Sequence, residues 1–299
     1  STAVQWESKF PPTEDALMHS VILLGDIKHP ATDSSMIRLL HSMLSDIQED
    51  KTSLILLGDI VYPLGLPRED EAGFDEARAD LVAILSTLQT FNGNIIILPG
   101  NHDWAKGGRD GWDHIKNEAG FVREFLGREN VFLPPGGCPG PVEVPLAGDV
   151  IAIVFDSQWW FHKYDKPGPD EGCDFEDEQG LFIQIEDIIR RNADKKIIFA
   201  THHPLFSVGN HGGHFPASRL LFPLLDINKN LYIPLPGFIY TGYRKYLGSI
   251  QDLAHPEYKI FRNTMLEVLR SYPDVIYAAG HEHNLQYLEK DSLHHIVSG

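Results

Sequence analysis

Five short apolar runs in this chain lead directly into side chains of the kinds that bind metal ions. Each run has the length of a buried strand, and Asp, Asn or His follows within a few residues of its end. Open α/β sheets place their ligand sites at the carboxyl ends of such strands. One ending of this type would mean little, but five in one chain predict a shared cluster of metal ligands. The runs cover residues 21–25, 53–57, 94–98, 196–200 and 275–279.

The order of the predicted elements indicates the class of fold. Helical spacing of apolar residues follows most of the runs, so strands and helices alternate in both halves of the chain. A strand pair over residues 142–155 separates the halves, a terminal hairpin is expected over 285–297, and the stretches 159–177 and 204–250 are expected to be irregular. This pattern predicts one α/β domain built of two sheets that helices flank. Helices are predicted around residues 36–47, 81–88, 113–126, 181–189 and 260–269.

Charge and the lengths of the apolar runs exclude two classes of protein. The chain of 299 residues carries 25 Lys and Arg against 42 Asp and Glu, which gives a net charge of −17. Contacts to a nucleic-acid backbone need a surplus of basic side chains, so no such partner is expected. No apolar run approaches the roughly 18 residues that a membrane-spanning helix requires.

The polar residues at the ends of the runs are ligands that hard and borderline metals take. They supply carboxylate, amide oxygen and imidazole without any cysteine. His281 and His283 are two positions apart, and in a turn such a pair can address two adjacent metals. Taken singly, each residue is better explained as a turn cap or a core histidine, but as a set they predict metal binding. The set comprises Asp26, Asp59, Asn101, His202, His281 and His283.

These residues also carry a family resemblance. The stretches at 25–26 (G-D), 58–62 (G-D-I-V-Y), 100–103 (G-N-H-D), 202 (H) and 280–283 (G-H-E-H) resemble, in order, the five blocks of the calcineurin-like metallophosphoesterase superfamily. Further details are similar to the purple, tartrate-resistant acid phosphatases: Tyr62 in the second block, H-x-P…H-G over 202–212, and H-E-H-N-L-Q-Y over 281–287. Lys28 stands where many superfamily members have a histidine, and those phosphatases tend to have a small residue there.

The resemblance implies a fold and a domain boundary. The family's fold is a four-layer αββα sandwich of two mixed β-sheets flanked by helices, with a dinuclear metal site at the carboxyl ends of the strands. We expect residues 1–20 to be a lead-in and 21–299 to form the metallophosphoesterase domain. The chain stops on what resembles the last strand of the family's core, which indicates a domain cut from a longer protein.

The resemblance also implies the metals and their ligands. Two metal ions are expected, with Asp59 bridging them. Asp26, Tyr62 and His283 would hold Fe(3+), because a phenol with an ordinary pKa of about 10 loses its proton at neutral pH only to a strongly acidic cation. The alternative is that Tyr62 packs against the loop at Pro63. The other metal, Fe(2+), Zn(2+) or Mn(2+), would be held by Asn101, His202 and His281.

The expected reaction follows from the same resemblance. It is the hydrolysis of small-molecule phosphate monoesters of the acid-phosphatase type, by in-line attack of a metal-bound hydroxide. His102 would be the general acid with Asp103 orienting it, and His211 would contact substrate or share the proton. The alternatives are a phosphodiesterase, a nucleotide or lipid-phosphate hydrolase, and a non-catalytic binding module on the same fold.

Two further expectations concern the surroundings of the protein. Cys138 and Cys173 lie in loops rich in Gly and Pro, outside any ligand motif, and we predict that they form a disulfide rather than remaining two unrelated thiols. Exported proteins keep such bonds, and the related phosphatases are mostly exported, so an extracytoplasmic (periplasmic or secreted) location is expected. The aromatic segment 232–246 is expected to overhang the site or to contact a membrane or a protein, with packing onto its own domain as the alternative.

Overall fold

The computed structural model describes residues 18–45, 47–215, 237–290 and 293–299. The strands are β1 (Ser20–Leu24), β2 (Thr52–Leu56), β3 (Asn94–Ile97), β4 (Val142–Ala147), β5 (Val150–Val154), β6 (Lys196–Ala200), β7 (Ile276–Ala279), β8 (Leu285–Lys290) and β9 (Leu293–Ser298). The helices are α1 (Ser35–Ser45), α2 (Phe74–Leu88), α3 (Gly111–Leu126), α4 (Ser157–Phe161), α5 (Glu178–Arg191), α6 (Gly237–Tyr246) and α7 (Pro256–Leu269). Short 3₁₀ turns cover Glu49–Lys51, Ala105–Gly107, Pro135–Gly137 and Pro169–Glu171.

The strands form two sheets, as the sequence predicts. The first has the order β1-β2-β3, and the second has the order β4-β5-β6-β7-β9-β8. In the second sheet β4 and β8 run antiparallel to their neighbours, whereas the other pairs are parallel. The described strands of the first sheet are all parallel. The expectation of two mixed sheets therefore holds for the second sheet and not for these strands. The strands of the first sheet alternate along the chain with α1 and α2, and such crossover connections join parallel strands.

Alternation of side chains along the strands produces the layers. Leu54 and Leu56 of β2 belong to the larger apolar core, which includes the buried faces of the helices. Ile55, between them, belongs to a second core cluster that also contains Ala152 of β5 and Ile198 of β6. Because successive strand residues point to opposite faces, β2 packs against helices on one side and against the second sheet on the other. The result is the expected arrangement of two sheets flanked by helices.

Register brings the carboxyl ends of the parallel strands to one level. Leu24 lies opposite Leu56, and Leu56 lies opposite Ile97. In the second sheet Ala200 lies opposite Ala278. The residues that follow these strands therefore emerge at one edge of the molecule, where the sequence predicts the metal ligands.

Two helices appear where the sequence predicts irregular chain. In α4 the Asp156 carboxylate accepts the backbone N–H groups of Gln158 and Trp159, so one capped turn forms without an apolar repeat. The helix α6 contains Gly237 and Gly242, which weaken helical propensity and hide its pattern. Of the segment 232–246, residues 232–236 lie outside the described residues, as does nearly all of the expected lead-in 1–20.

A disulfide joins two loops on the second sheet's side of the fold. Cys138 and Cys173 are bonded, which confirms the predicted pairing, and 35 residues separate them in sequence. Closing a loop of this length stabilises a protein by about 2–4 kcal/mol. We expect thiol titration of the denatured protein to detect no thiol before reduction and both after it, and we expect Cys138→Ser to lower the free energy of unfolding accordingly. Two titratable thiols in unreduced protein would contradict this result.

Within the described ranges, none of the helices combines the length and the hydropathy that crossing a membrane requires.

Candidate metal centre

Five strands deliver polar side chains to one edge of the two sheets. Asp26 follows β1, Asp59 follows β2, Asn101 follows β3, His202 follows β6 and His281 follows β7. All five are buried. A hydrogen bond joins the two sheets at this edge. Nδ1–H of His202, after β6, donates to the carbonyl oxygen of Leu57, after β2, at 2.8 Å. The structure therefore brings together residues up to 255 positions apart in sequence.

The Asp59 carboxylate lies at the middle of the cluster. Its Oδ2 is 3.4 Å from Oη of Tyr62 and 3.3 Å from Nε2 of His202. Its Oδ1 accepts the backbone N–H of His102 at 2.7 Å. One carboxylate therefore faces two groups of side chains, one on each side.

The first group comprises Asp26, Tyr62 and His283. Oδ1 of Asp26 is 3.2 Å from Oη of Tyr62 and 3.4 Å from Nδ1 of His283. The second group comprises Asn101, His202 and His281. Oδ1 of Asn101 is 3.1 Å from Nε2 of His202 and 2.9 Å from Nδ1 of His281. Carboxylate, phenol, amide and imidazole atoms thus converge in two adjacent sets.

Backbone carbonyl groups fix the protonation of two histidines. Nδ1 of His202 lies 2.8 Å from the Leu57 oxygen, and Nε2 of His281 lies 2.9 Å from the Gln251 oxygen. A carbonyl oxygen only accepts, so each of these nitrogens carries the proton. The other nitrogen of each ring, Nε2 of His202 and Nδ1 of His281, faces Asn101 in the cluster. Metal-binding histidines in proteins are oriented in this way.

The electrostatics of the cluster also fit a cation. Burial, together with the neighbouring Asp59, raises the pKa of Asp26 to about 7. Burial lowers the pKa of His283 to about 4, so its imidazole is neutral at physiological pH. Ligand atoms of Asp59, His202 and His281 lie within 4.8 Å of one another. Although burial opposes it, the charge of Asp59 raises the pKa of His202 to about 10, so a cation bound there would have to replace a proton on that ring. Carboxylates and imidazoles are the donor set that a divalent or trivalent ion takes.

Several of these residues have unusual backbone conformations. Asp26 has a φ of 57°, Asp59 of 54°, His281 of 75° and His283 of 50°. A positive φ is uncommon for residues other than glycine, and such strain is concentrated at functional sites. At Gly100 the constraint is steric. A Cβ atom there would lie 2.3 Å from Oδ1 of Asp59, so only glycine fits.

A model of calcineurin-like phosphoesterases matches residues 19–299 of the chain. The chain belongs to the calcineurin-like phosphoesterase family. It is a metal-dependent hydrolase of phosphoric esters, and the family indicates divalent metal ions and a small-molecule phosphate ester as substrate. A search of curated proteins gave no match.

Two solved structures are similar to this phosphoesterase at low identity. One is described as GAP50, the anchor in the inner membrane complex of Plasmodium; it is 12% identical with a TM-score of 0.49, over 93% of this chain and 70% of that chain. The other is a structure of PhoD, 10% identical with a TM-score of 0.47, over 93% of this chain and 55% of that chain. Likeness at these identities carries no information on substrate or partner.

His102 lies at the mouth of the phosphoesterase's metal centre. Nε2 of its ring is 3.9 Å from Oδ2 of Asp59, and the ring centroid is 4.1 Å from that of Tyr62. Nδ1 lies 2.8 Å from the carbonyl oxygen of Pro63, so that carbonyl group orients the ring. Burial lowers the pKa of His102, and the nearby Asp59 opposes this effect.

Asp103 does not orient His102, contrary to the sequence-based expectation. Its carboxylate accepts the backbone N–H groups of Asp59 and Gly100, each at 2.7 Å, and those of Ile60 and Val61 at 3.2 and 3.1 Å. A buried carboxylate among unpaired amide donors binds them in preference to a neighbouring side chain. The function of Asp103 in the structure is to join the two loops that carry Asp59 and Asn101.

His211 lines a cavity of about 230 Å³ beside the metal centre. Three residues near this cavity carry no prediction from the sequence. Glu282 accepts the backbone N–H groups of His211 and Gly212 at 3.2 and 3.0 Å, and its position between two histidines was a signal. Gln251 and Asp252 lie in the stretch expected to be irregular, where no motif marks them. The cavity is also lined by Asp59, Asn101, His102, Lys106, Ser249, Gln251, His281 and His283.

Proposed function

We propose that this phosphoesterase is a phosphomonoesterase of the acid-phosphatase type with a dinuclear centre, similar to the purple acid phosphatases. Asp26, Tyr62 and His283 would hold one metal, Asn101, His202 and His281 would hold the other, and Asp59 would bridge them. The observation that carries the proposal is the position of Asp59. Its Oδ2 lies 3.4 Å from the phenol oxygen of one set and 3.3 Å from an imidazole nitrogen of the other.

This arrangement divides the steps of the reaction between the metal ions and the side chains of the protein. Two bound metal ions would supply an activated water and would clamp the phosphoryl oxygens for in-line displacement. The protein must supply a proton to the leaving group. His102 lies at the cavity with Nε2 directed toward the centre, and Pro63 holds its other nitrogen. His211, on the opposite loop, would contact the substrate's phosphoryl oxygens.

Hydrolysis assays test the proposed class of substrate. The metal-loaded protein should hydrolyse p-nitrophenyl phosphate faster than bis-p-nitrophenyl phosphate, and a chelator should abolish both reactions. The cavity of about 230 Å³ supports a small monoester. Preference for the diester would favour the phosphodiesterase alternative. Absence of both reactions in metal-loaded protein would leave a non-catalytic binding module.

Tyr62 favours a trivalent iron in the first set. Burial and the adjacent carboxylates raise the pKa of Tyr62 well above that of a free phenol. The hydroxyl therefore keeps its proton unless a strongly acidic cation displaces it. Its oxygen lies 3.2 Å from Oδ1 of Asp26, which supports a shared ligand position. The partner metal would be Fe(2+), Zn(2+) or Mn(2+).

Colour provides a direct test of the Tyr62 proposal. Concentrated protein should show a visible absorption band from charge transfer between phenolate and Fe(3+), and Tyr62→Phe should abolish that band while iron remains detectable by elemental analysis. The matched control is Tyr258→Phe, because Tyr258 is also buried but donates its hydroxyl to the Pro204 carbonyl at 2.8 Å. An unchanged band in Tyr62→Phe would rule out the ligand. A protein without iron would point to Mn or Zn and leave Tyr62 outside the coordination sphere.

The proposal extends to location and domain organisation. The disulfide between Cys138 and Cys173 supports an oxidising, extracytoplasmic compartment. We also propose that residues 21–299 form one metallophosphoesterase domain, since both sheets contribute ligands to the same centre. Expression of residues 18–299 as a folded, metal-binding fragment would test this boundary.

A further inference from the structure

A buried carboxylate holds His211 on the side away from the metal centre. Nδ1 of His211 lies 2.9 Å from Oδ1 of Asp252, whose side chain is fully buried. The His211 ring lines the cavity, with its centroid 4.0 Å from that of His281. Nε2 of His211 makes no hydrogen bond to any residue in the described part of the chain. Since Nδ1 is engaged, Nε2 is the nitrogen left to face a substrate.

Asp252 is itself fixed by groups outside the metal centre. Arg244 of α6 donates Nε–H to Oδ2 at 3.0 Å and also donates Nη2–H to Oδ1. Ser249 donates its backbone N–H at 2.8 Å and its hydroxyl at 3.0 Å, both to Oδ2. Although burial opposes its charge, hydrogen bonds from His211 and Arg244 keep the pKa of Asp252 below its ordinary value. The carboxylate therefore presents a fixed acceptor to the His211 ring.

The backbone of His211 is held separately from its ring. Glu282 accepts the backbone N–H groups of His211 and Gly212, and the carbonyl oxygen of His211 accepts the N–H of Leu253 at 3.0 Å. These contacts determine the path of the loop. The contact with Asp252 determines the rotation of the imidazole, and Nη2 of Arg244 lies 3.0 Å from the same Nδ1.

We propose that Asp252 is a positioning residue for His211, which directs Nε2 of that histidine at a phosphoryl oxygen of the substrate. The proposal rests on the substrate contact proposed above for His211. It assigns a role to a segment, 244–252, in which the sequence shows no motif. The same segment supports the metal centre, since the Gln251 carbonyl accepts the Nε2–H of His281.

Substitution of Asp252 tests the proposal. Loss of a partner that orients an active-site histidine costs roughly 10- to 100-fold in activity, and Asp252→Ala should lower kcat/KM for p-nitrophenyl phosphate by that factor. Asp252→Asn keeps an oxygen acceptor and should lose less. The control is Asp80→Ala, because Asp80 is 4% exposed and accepts the Ala31 N–H at 3.0 Å outside the metal centre. It should reduce stability but leave kcat/KM near that of the parent.

A double-mutant cycle separates positioning from a purely structural role. If Asp252 acts through His211, Asp252→Ala should cause no further loss of kcat/KM in protein that already carries His211→Ala. Multiplicative losses would overturn the proposal.

Calorimetric titration with inorganic phosphate gives a reading that does not need turnover. The Kd of the metal-loaded Asp252→Ala variant should rise about as much as that of His211→Ala, and an unchanged Kd would overturn the proposal. A parent protein without hydrolytic activity would contradict the proposed function, and phosphate binding would still decide this inference.

Discussion

Replacing His102 with alanine should lower the rate of hydrolysis of alkyl phosphates by roughly 10²- to 10⁴-fold, the usual contribution of a general acid. Nε2 of His102 is 3.9 Å from Asp59 at the mouth of the cavity, where a leaving-group oxygen would lie. An alkoxide leaving group needs a proton as it departs. A nitrophenolate is a far weaker base and needs that proton much less. The loss should therefore be much smaller on p-nitrophenyl phosphate, and both metals should remain bound.

The chain offers a matched control for this substitution. Nδ1–H of His114 donates to the carbonyl oxygen of Leu64 at 2.6 Å, just as Nδ1–H of His102 donates to that of the preceding Pro63. His114 does not line the cavity beside the metal centre. His114→Ala should therefore keep the parent's rate on both kinds of ester. Equal losses on alkyl and nitrophenyl esters in His102→Ala would count against an acid role and in favour of a binding role.

Replacing Asp59 with asparagine should remove activity almost completely. A bridging carboxylate offers a lone pair from each oxygen, whereas the amide nitrogen of asparagine offers none. Metal ions contribute several kcal/mol to stabilising the transition state, and each ~1.4 kcal/mol is a factor of ten, so the loss should reach at least about 10³-fold. Elemental analysis should show less metal per chain than in the parent protein.

Asparagine makes this a test of the charge and not of the backbone. Asp59 has a φ of 54°, a conformation that asparagine tolerates, and the amide oxygen can still accept the His102 N–H. The fold should therefore survive, as circular dichroism would show. Asp80→Asn serves as the control, because that buried carboxylate lies outside the centre. Parent-like activity and metal content in Asp59→Asn would refute the bridging role.

The sequence predicted the parts of the site that depend on strand ends. A buried run that stops at a polar residue places that residue at the sheet edge, so Asp59 and His202 could be located without a structure. The register of parallel strands then brings them together, because the strands end at the same level. The predicted disulfide and terminal hairpin were confirmed for a similar reason, since loop composition and alternation are local signals.

The remaining parts depend on competition between partners, which a linear pattern does not contain. Asp103 is adjacent to His102 in sequence, but four backbone N–H groups surround its carboxylate in the fold. Asp252 follows a helix with two glycines, and its contact with His211 joins segments 41 residues apart. Such contacts become visible only when the loops are placed in space.

The left-handed backbone at four of the proposed ligand positions has a consequence for how this protein tolerates change. A left-handed conformation costs most residues other than glycine roughly 1–2 kcal/mol, and aspartate less. Asp26, Asp59, His281 and His283 all adopt it. Glycine at any of these positions would relieve that cost and would also remove a proposed metal ligand. Selection for heat resistance alone would thus favour glycine there and erode the metal centre, whereas selection for turnover would preserve the costly residues. In directed evolution, these codons are the ones to hold constant.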